Sequence, residues 1–173
     1  MTRFHNEHRA YRDLSKPDRQ ALRDTLATAF PIGRSAHKLW SDFPETTAFL
    51  RRATPAPGTA PEGIVGGAIV MSYPEDQYDY LAYIAVRPEY RRQGGLLRRP
   101  GGRPHHGTDL VRYVYDVMHN RVTAARPQRH LMIEPAGDGA LRFYLHALPT
   151  NEYPLRFYEP DRVILVGYDG LAL

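Results

Sequence analysis

Apolar positions follow two rhythms along this chain. Leu22, Leu26, Ala29 and Phe30 recur at helical spacing behind Ser15-Lys16-Pro17-Asp18. Ser15 can cap that helix, Asp18 sits at the capping-box position, Pro17 is tolerated in the first turn, and Pro31 stops it. Residues 8–14 read as a strand before it and residues 35–43 as a short second helix. From Thr46 the period changes. Residues 47–53, 62–72 and 78–86 read as three strands rich in Gly, Tyr and β-branched residues, with Tyr73-Pro74-Glu75-Asp76 as a turn. The proline-rich tract 54–61 is a turn-rich connection between strands.

A helix follows over residues 108–122. Its stripe is Leu110, Val111, Val114, Val117 and Met118, with Thr108 or Asp109 as cap. Residues 130–133 read as a short strand, 138–148 as a capped helix stopped by Pro149, and 155–158 with 163–168 as a closing pair of strands. The order β-α-α-β-β-β-loop-α-β-α-β-β predicts a mixed α/β domain. At 173 residues the chain fits one domain.

Composition narrows the chemistry. No cysteine is present, so thiolate metal sites, disulfides and cysteine nucleophiles are excluded. The polar start of the chain and the short apolar runs predict neither a signal core nor a membrane span, and hence a cytoplasmic protein. The net charge of +4 is mild. Its placement matters more: Arg91, Arg92, Arg98, Arg99 and Arg103 share one glycine-rich stretch, the composition of a site for phosphate carried by CoA, a nucleotide or RNA. His105 and His106 are adjacent but lack the further ligands a metal requires.

That stretch joins the strand 80–86 to the helix near Gly107. Strand, Arg/Gly-rich loop and helix N-terminus together can cradle a phosphate. Neither a P-loop nor a dinucleotide fingerprint is present. Tyr83-Ile84-Ala85-Val86-Arg87-Pro88-Glu89-Tyr90-Arg91-Arg92-Gln93-Gly94 resembles motif A of the GCN5-related N-acyltransferases (the GNAT superfamily), a strand ending in V-x-P-x-x-R-x-x-G, then a second glycine and a helix. The element order is similar over most of the chain. The resemblance implies a single GNAT-like domain over residues 1–173, with a mixed, mostly antiparallel central sheet flanked by helices. It implies an acyl-CoA donor, acetyl-CoA or another. Ala85 and Val86 would contact pantetheine. Gln93, Gly94, Gly95, Gly107 and Thr108 would hold pyrophosphate, with Arg91 and Arg92 assisting electrostatically.

The spacing departs from the family's. Residues 96–106 stand as an insertion before Gly107, either a basic flap over the donor, a disabling change, or a solvated loop. Ala140-Leu141-Arg142-Phe143-Tyr144 resembles the family's motif B, which implies Tyr144 as general acid toward the departing thiolate, although the usual E-x-x-G-F continuation is absent. A base must take the proton of the amine acceptor. Glu134 is the first choice because Leu131-Met132-Ile133 before it is apolar. Glu75, Asp76, Asp79, His130 and His146 are the alternatives, and Tyr78, Tyr80 and Tyr83 could line an acceptor pocket. Two other functions follow from the altered loop: a non-catalytic phosphate- or RNA-binding module, and a transferase with a different donor such as aminoacyl-tRNA. The acceptor carries no signature beyond a primary amine of a small or amino-acid-like molecule. Oligomeric state carries none either, a dimer being compatible.

Overall fold

A computed structural model describes residues 2–54, 63–91, 105–122, 128–158 and 163–168. Among them one seven-stranded sheet runs in the order β1-β2-β3-β4-β5-β7-β6. β1 (Arg3–Ala10) leads through a 3-10 turn into α1 (Lys16–Ala27) and α2 (Arg34–Asp42). β2 (Thr46–Thr54), β3 (Gly63–Tyr73) and β4 (Tyr78–Val86) form an antiparallel meander. A single turn, α3 (Pro88–Arg91), and the helix α4 (His106–His119) follow, then β5 (His130–Ile133), α5 (Asp138–Ala147), β6 (Leu155–Tyr158) and β7 (Val163–Gly167). β4 and β5 are parallel; every other strand pair is antiparallel. This is the mixed α/β domain that the element order predicts, with the mostly antiparallel sheet that the resemblance implies.

The helices cover both faces. Alternation along the strands divides the side chains: Phe49, Ala68, Val70, Leu81, Leu131 and Ile133 pack with α4 and α5. Ala48, Leu50, Ile64, Ile69 and Met71 pack with Leu22, Leu26 and Trp40 from the other helical layer. β3 is therefore buried along almost its whole length. Leu22 lies so close to the β3 backbone at Gly67 that any Cβ there would collide with it. α1 starts as its sequence dictates, with the Asp18 backbone N–H donating to Ser15 Oγ at 3.2 Å.

Several boundaries shift. β1 begins at Arg3 and is paired with β2 from Arg3↔Thr54 onward, so the first strand lies earlier than the apolar content of residues 8–14 indicates. α4 begins at His106, without a side-chain cap. α5 is entered through Gly137 at φ 98, a conformation that favours glycine.

Two features of β4 build the site. The β3–β4 register passes from Ile69↔Tyr83 to Val70↔Leu81, leaving Ala82 as a bulged residue. Leu81 thus enters the α4/α5 core while Tyr83 enters the α1/α2 layer. β4 also outruns its neighbour: pairing with β5 ends at Leu81↔Ile133, whereas β4 continues to Val86. Among the described residues the β5 side of β4 from Ala82 to Val86 is left without a strand.

Candidate active site

The gap beside β4 opens into a cavity of about 590 Å³, within the range of small-molecule sites. Ile84, Ala85 and Val86 form its floor, and Arg91 from α3 borders it. His105, His106, Gly107 and Thr108 bring the N-terminal end of α4 to it, and Gly139, Ala140, Phe143 and His146 form the α5 wall. The first amides of a helix lack intrahelical acceptors and carry its positive dipole end. Gly107 packs under Phe143, where a Cβ would meet the ring at 3.1 and 3.2 Å; a side chain there would press on the cavity wall.

Of the residues expected to bind a donor, Ala85, Val86, Arg91, Gly107 and Thr108 meet at this cavity. Arg92, Gln93, Gly94 and Gly95 lie outside the described residues, as do Arg98, Arg99 and Arg103. Arg91 has a bracing role as well. Its Nε donates to Val86 O at 2.6 Å, and Nη2 donates to Thr28 O and Oγ1 at 3.1 and 2.8 Å, tying the end of β4 to the end of α1.

Glu134 follows the last residue of β5, exposed at the point where β4 and β5 part. It accepts a hydrogen bond from Tyr80 Oη at 3.0 Å. Burial, and then this carboxylate, pushes the Tyr80 phenol up to about 12. Tyr144 is 8% exposed and belongs to the core cluster; Phe143, one residue earlier, is what the helix turns into the cavity. Burial raises the Tyr144 phenol, and the neighbouring Tyr80 adds to the rise. Tyr80 is thus near both Tyr144 and Glu134, linking two residues that the sequence places 54 and 64 positions beyond it.

Of the alternative bases, His146 lines the cavity and the other four lie elsewhere. Asp79 is 1% exposed and accepts from Tyr168 Oη at 2.6 Å. Glu75 and Asp76 are exposed in the β3–β4 turn. His130 stacks on Tyr78 at the start of β4, the end opposite Val86. Tyr78, Tyr80 and Tyr83 do not form one wall: Tyr83 packs edge-on against Phe30 and Trp40 at 5.3 and 5.2 Å, while Tyr78 stacks on Tyr73. Among the described residues no cluster of three or more His, Asp or Glu could hold a metal, and no helix is long and apolar enough to cross a membrane.

Sequence reasoning missed one network. Arg51, 5% exposed on β2, donates from Nε to His106 Nδ1 at 2.8 Å, from Nη1 to Asn6 Oδ1 at 2.9 Å and from Nη2 to Asp109 Oδ2 at 2.8 Å. It locks the first turn of α4 to β1 and β2. Arg51 has no acceptor, so His106 Nδ1 must be unprotonated and the ring neutral, with its proton on Nε2. Burial foremost, and then the Arg51 charge, holds His106 down at about 4 against an ordinary 6.5. Between those values the unfolded chain binds a proton that the folded chain refuses. Stability is therefore unaffected above pH 6.5 and falls as pH drops from there toward about 4, by at most about 1.4 kcal/mol per pH unit. Urea unfolding at pH 7, 6 and 5 should show a steeper decline in the wild type than in His106→Gln. Parallel declines would contradict the assignment.

Comparison with known proteins follows the geometry. No family model matches the sequence, and no curated protein sequence matches it. Solved structures do. Tetrahymena GCN5 superposes with a TM-score of 0.56 at 13% identity, over 88% of each chain. The ribosomal-protein-S18-alanine N-acetyltransferase from Escherichia coli gives 0.56 at 15% identity, over 98% of this chain and 100% of that one. AtaTR bound with AcCoA gives 0.54 at 15% identity, over 95% and 93%. Over this coverage the chain has the fold of the GCN5-related N-acetyltransferases.

Proposed function

We propose that this protein is an acyl-CoA-dependent N-acyltransferase that transfers an acyl group, in the first instance acetyl, to a primary amine. The observation that carries this reading is the unpaired run of β4 from Ala82 to Val86 beside the α4 N-terminus. Such an edge can take an extended pantetheine arm as an added strand, through backbone hydrogen bonds. The helix end then meets the pyrophosphate at Gly107 and Thr108. The apolar floor of Ile84, Ala85 and Val86 suits the arm, and the cavity volume suits a ligand of this size. Motif A assigns Arg92, Gln93, Gly94 and Gly95 to the same phosphates. AtaTR, a structural neighbour, was solved with AcCoA.

The chemistry is direct attack of the amine on the thioester carbonyl. A backbone N–H near Ala85 or Val86 stabilises the developing oxyanion. Glu134, exposed where the strands part and oriented by Tyr80, takes the ammonium proton, directly or through water. Motif B assigns the return of a proton to the departing sulfur to Tyr144, which holds its proton at neutral pH and lies in the core beside Tyr80, one residue past the cavity-facing Phe143. The acceptor class stays at the level of a primary amine. The alanine of a ribosomal protein belongs to the name of the Escherichia coli neighbour.

Calorimetric titration with CoA, acetyl-CoA and longer acyl-CoAs tests the reading. Saturable one-site binding is expected, with CoA competing against the acyl forms. Absence of heat and of competition across the whole series would overturn the donor assignment and leave the fold untouched.

A further inference from the structure

The two faces of the sheet are covered unequally. α4 and α5 pack over one face from β2 to β7, where Leu131, Ile133, Ile164 and Val166 are at most 1% exposed. α1 and α2 cover the other face over β2, β3 and β4, and no described residue of β5, β6 or β7 enters their cluster. Alternation sends Met132 of β5, and Val163 and Leu165 of β7, to this second face, where all three are partly exposed. Register makes the half-face continuous. Tyr80 pairs with Met132, Met132 with Leu165, and Leu165 with Arg156, so β4, β5, β7 and β6 contribute one row. Glu134 follows Ile133, the last paired residue of β5, and accepts the Tyr80 hydroxyl from that row. The half-face thus runs from the proposed base at the β4–β5 parting to an exposed arginine on the edge strand β6. Met132, Leu165 and Val163 lie between. Glu134 makes no ion pair, and Arg156 neither an ion pair nor a hydrogen bond, among the described residues. Two strand spacings of about 4.8 Å and a two-residue step of about 6.8 Å put them on the order of 12 Å apart at the backbone.

We propose that this half-face is the acceptor platform, and that the acceptor is an apolar primary amine carrying a carboxylate on the order of 10 Å from its nitrogen. The amine meets Glu134 at the parting, where the donor cavity opens. The apolar body lies on Met132, Leu165 and Val163, and Arg156 donates a charge-assisted hydrogen bond to the carboxylate. Transfer forms the amide bond, breaks the C–S bond and yields an N-acylamino acid and CoA. The inference rests on the acyl-CoA reading and gives its acceptor a chemical class. Charge complementarity selects the occupant. A polyamine would find one carboxylate, then an apolar strip, then a repelling arginine. An α-amino acid cannot join the two ends, because its amine and carboxylate sit on one carbon.

The test is steady-state transfer from saturating acetyl-CoA, followed as released CoA thiol. The acceptors are the straight-chain ω-amino acids from aminobutanoate to aminododecanoate, the carboxamide of aminooctanoate, and spermidine. kcat/KM is expected to peak near aminooctanoate, whose extended length matches the span. It should exceed the value for the carboxamide by about five-fold or more, the size of one ionic hydrogen bond at an exposed site. Arg156→Gln, a change at an exposed position, should abolish both that preference and the length optimum. Equal use of acid and carboxamide by the wild type would overturn the inference. So would a preference that survives in Arg156→Gln, or spermidine reacting faster than every amino acid. Sedimentation as a dimer that Leu165→Asp dissociates would give the face to a second copy, and also overturns it. If acetyl-CoA binds and none of the amino acids is acylated, the acceptor class alone fails. If acetyl-CoA does not bind, the acyl-CoA reading fails and takes this inference with it, so the two failures are distinct.

Discussion

Replacing Arg51 by alanine is expected to lower the unfolding free energy by about 3 kcal/mol or more, the cost typical of removing one partner from a buried ionic network. The guanidinium is nearly inaccessible and serves three acceptors on three elements: Asn6 on β1, and His106 and Asp109 on α4. Deleting it leaves a void beside Phe4, whose ring it overlies at 5.8 Å, and strips buried polar atoms of their partners. Asp109→Asn supplies the contrast. That side chain is 37% exposed, so solvent screens the pair and the loss should stay below about 1 kcal/mol. Urea denaturation with an unchanged m-value measures both. A loss in Arg51→Ala no larger than in Asp109→Asn would show that the network is peripheral. Because Arg51 also fixes the first turn of α4, Arg51→Ala should weaken CoA binding in the same preparation, and by more than Asp109→Asn does.

The second large effect is catalytic. Glu134→Gln is expected to reduce kcat about a hundred-fold or more, the usual contribution of a positioned base, with acyl-CoA affinity unchanged. The amide keeps the shape and can still accept from Tyr80 Oη, so the fold and the β4–β5 parting should persist. An alkylamine ordinarily holds its proton to about pH 10. With the base removed, only the small deprotonated fraction in solution reacts, so the variant's rate should climb about ten-fold per pH unit where the wild type flattens. Tyr144→Phe should also lose kcat but without that recovery, because its proposed role lies at the leaving sulfur. The assays use the best acceptor from a panel of primary amines. A Glu134→Gln enzyme within about three-fold of wild type at neutral pH would remove Glu134 from the mechanism. Tyr80→Phe separates orientation from proton transfer: it takes away the hydrogen bond to Glu134 and leaves the carboxylate in place.

The strand ranges at Tyr78–Val86, His130–Ile133 and Leu155–Tyr158 agree with the pattern of the residues themselves, because each segment is short, apolar or β-branched and bounded by turn residues. The α1 cap and its proline are equally local, and Ser15 acts as its spacing predicts. Motif A reads from sequence for the same reason: a strand end, a loop and a helix start are contiguous in the chain. α5 shows where local reading stops. Its motif names Phe143 and Tyr144 together, but one residue is a turn of about 100° on a helix, so Phe143 reaches the cavity wall while Tyr144 enters the core beside Tyr80.

The sequence by itself determined the order of elements, most of their limits and the segment that faces the cavity, since those follow from side-chain periodicity and turn chemistry within a few residues. Only the tertiary structure decided the rest. The Ala82 bulge and the end of β5 at Ile133 depend on the register between strands and set the gap beside β4. Arg51 and Arg52 read as a polar pair on a strand. Alternation sends Arg51 to His106 and Asp109, and Arg52 to Glu7 and Asp18 on the opposite face. Their partners lie 34 to 58 positions away in the chain. A one-dimensional pattern carries no distance between such residues; packing a twisted sheet between two helical layers creates it.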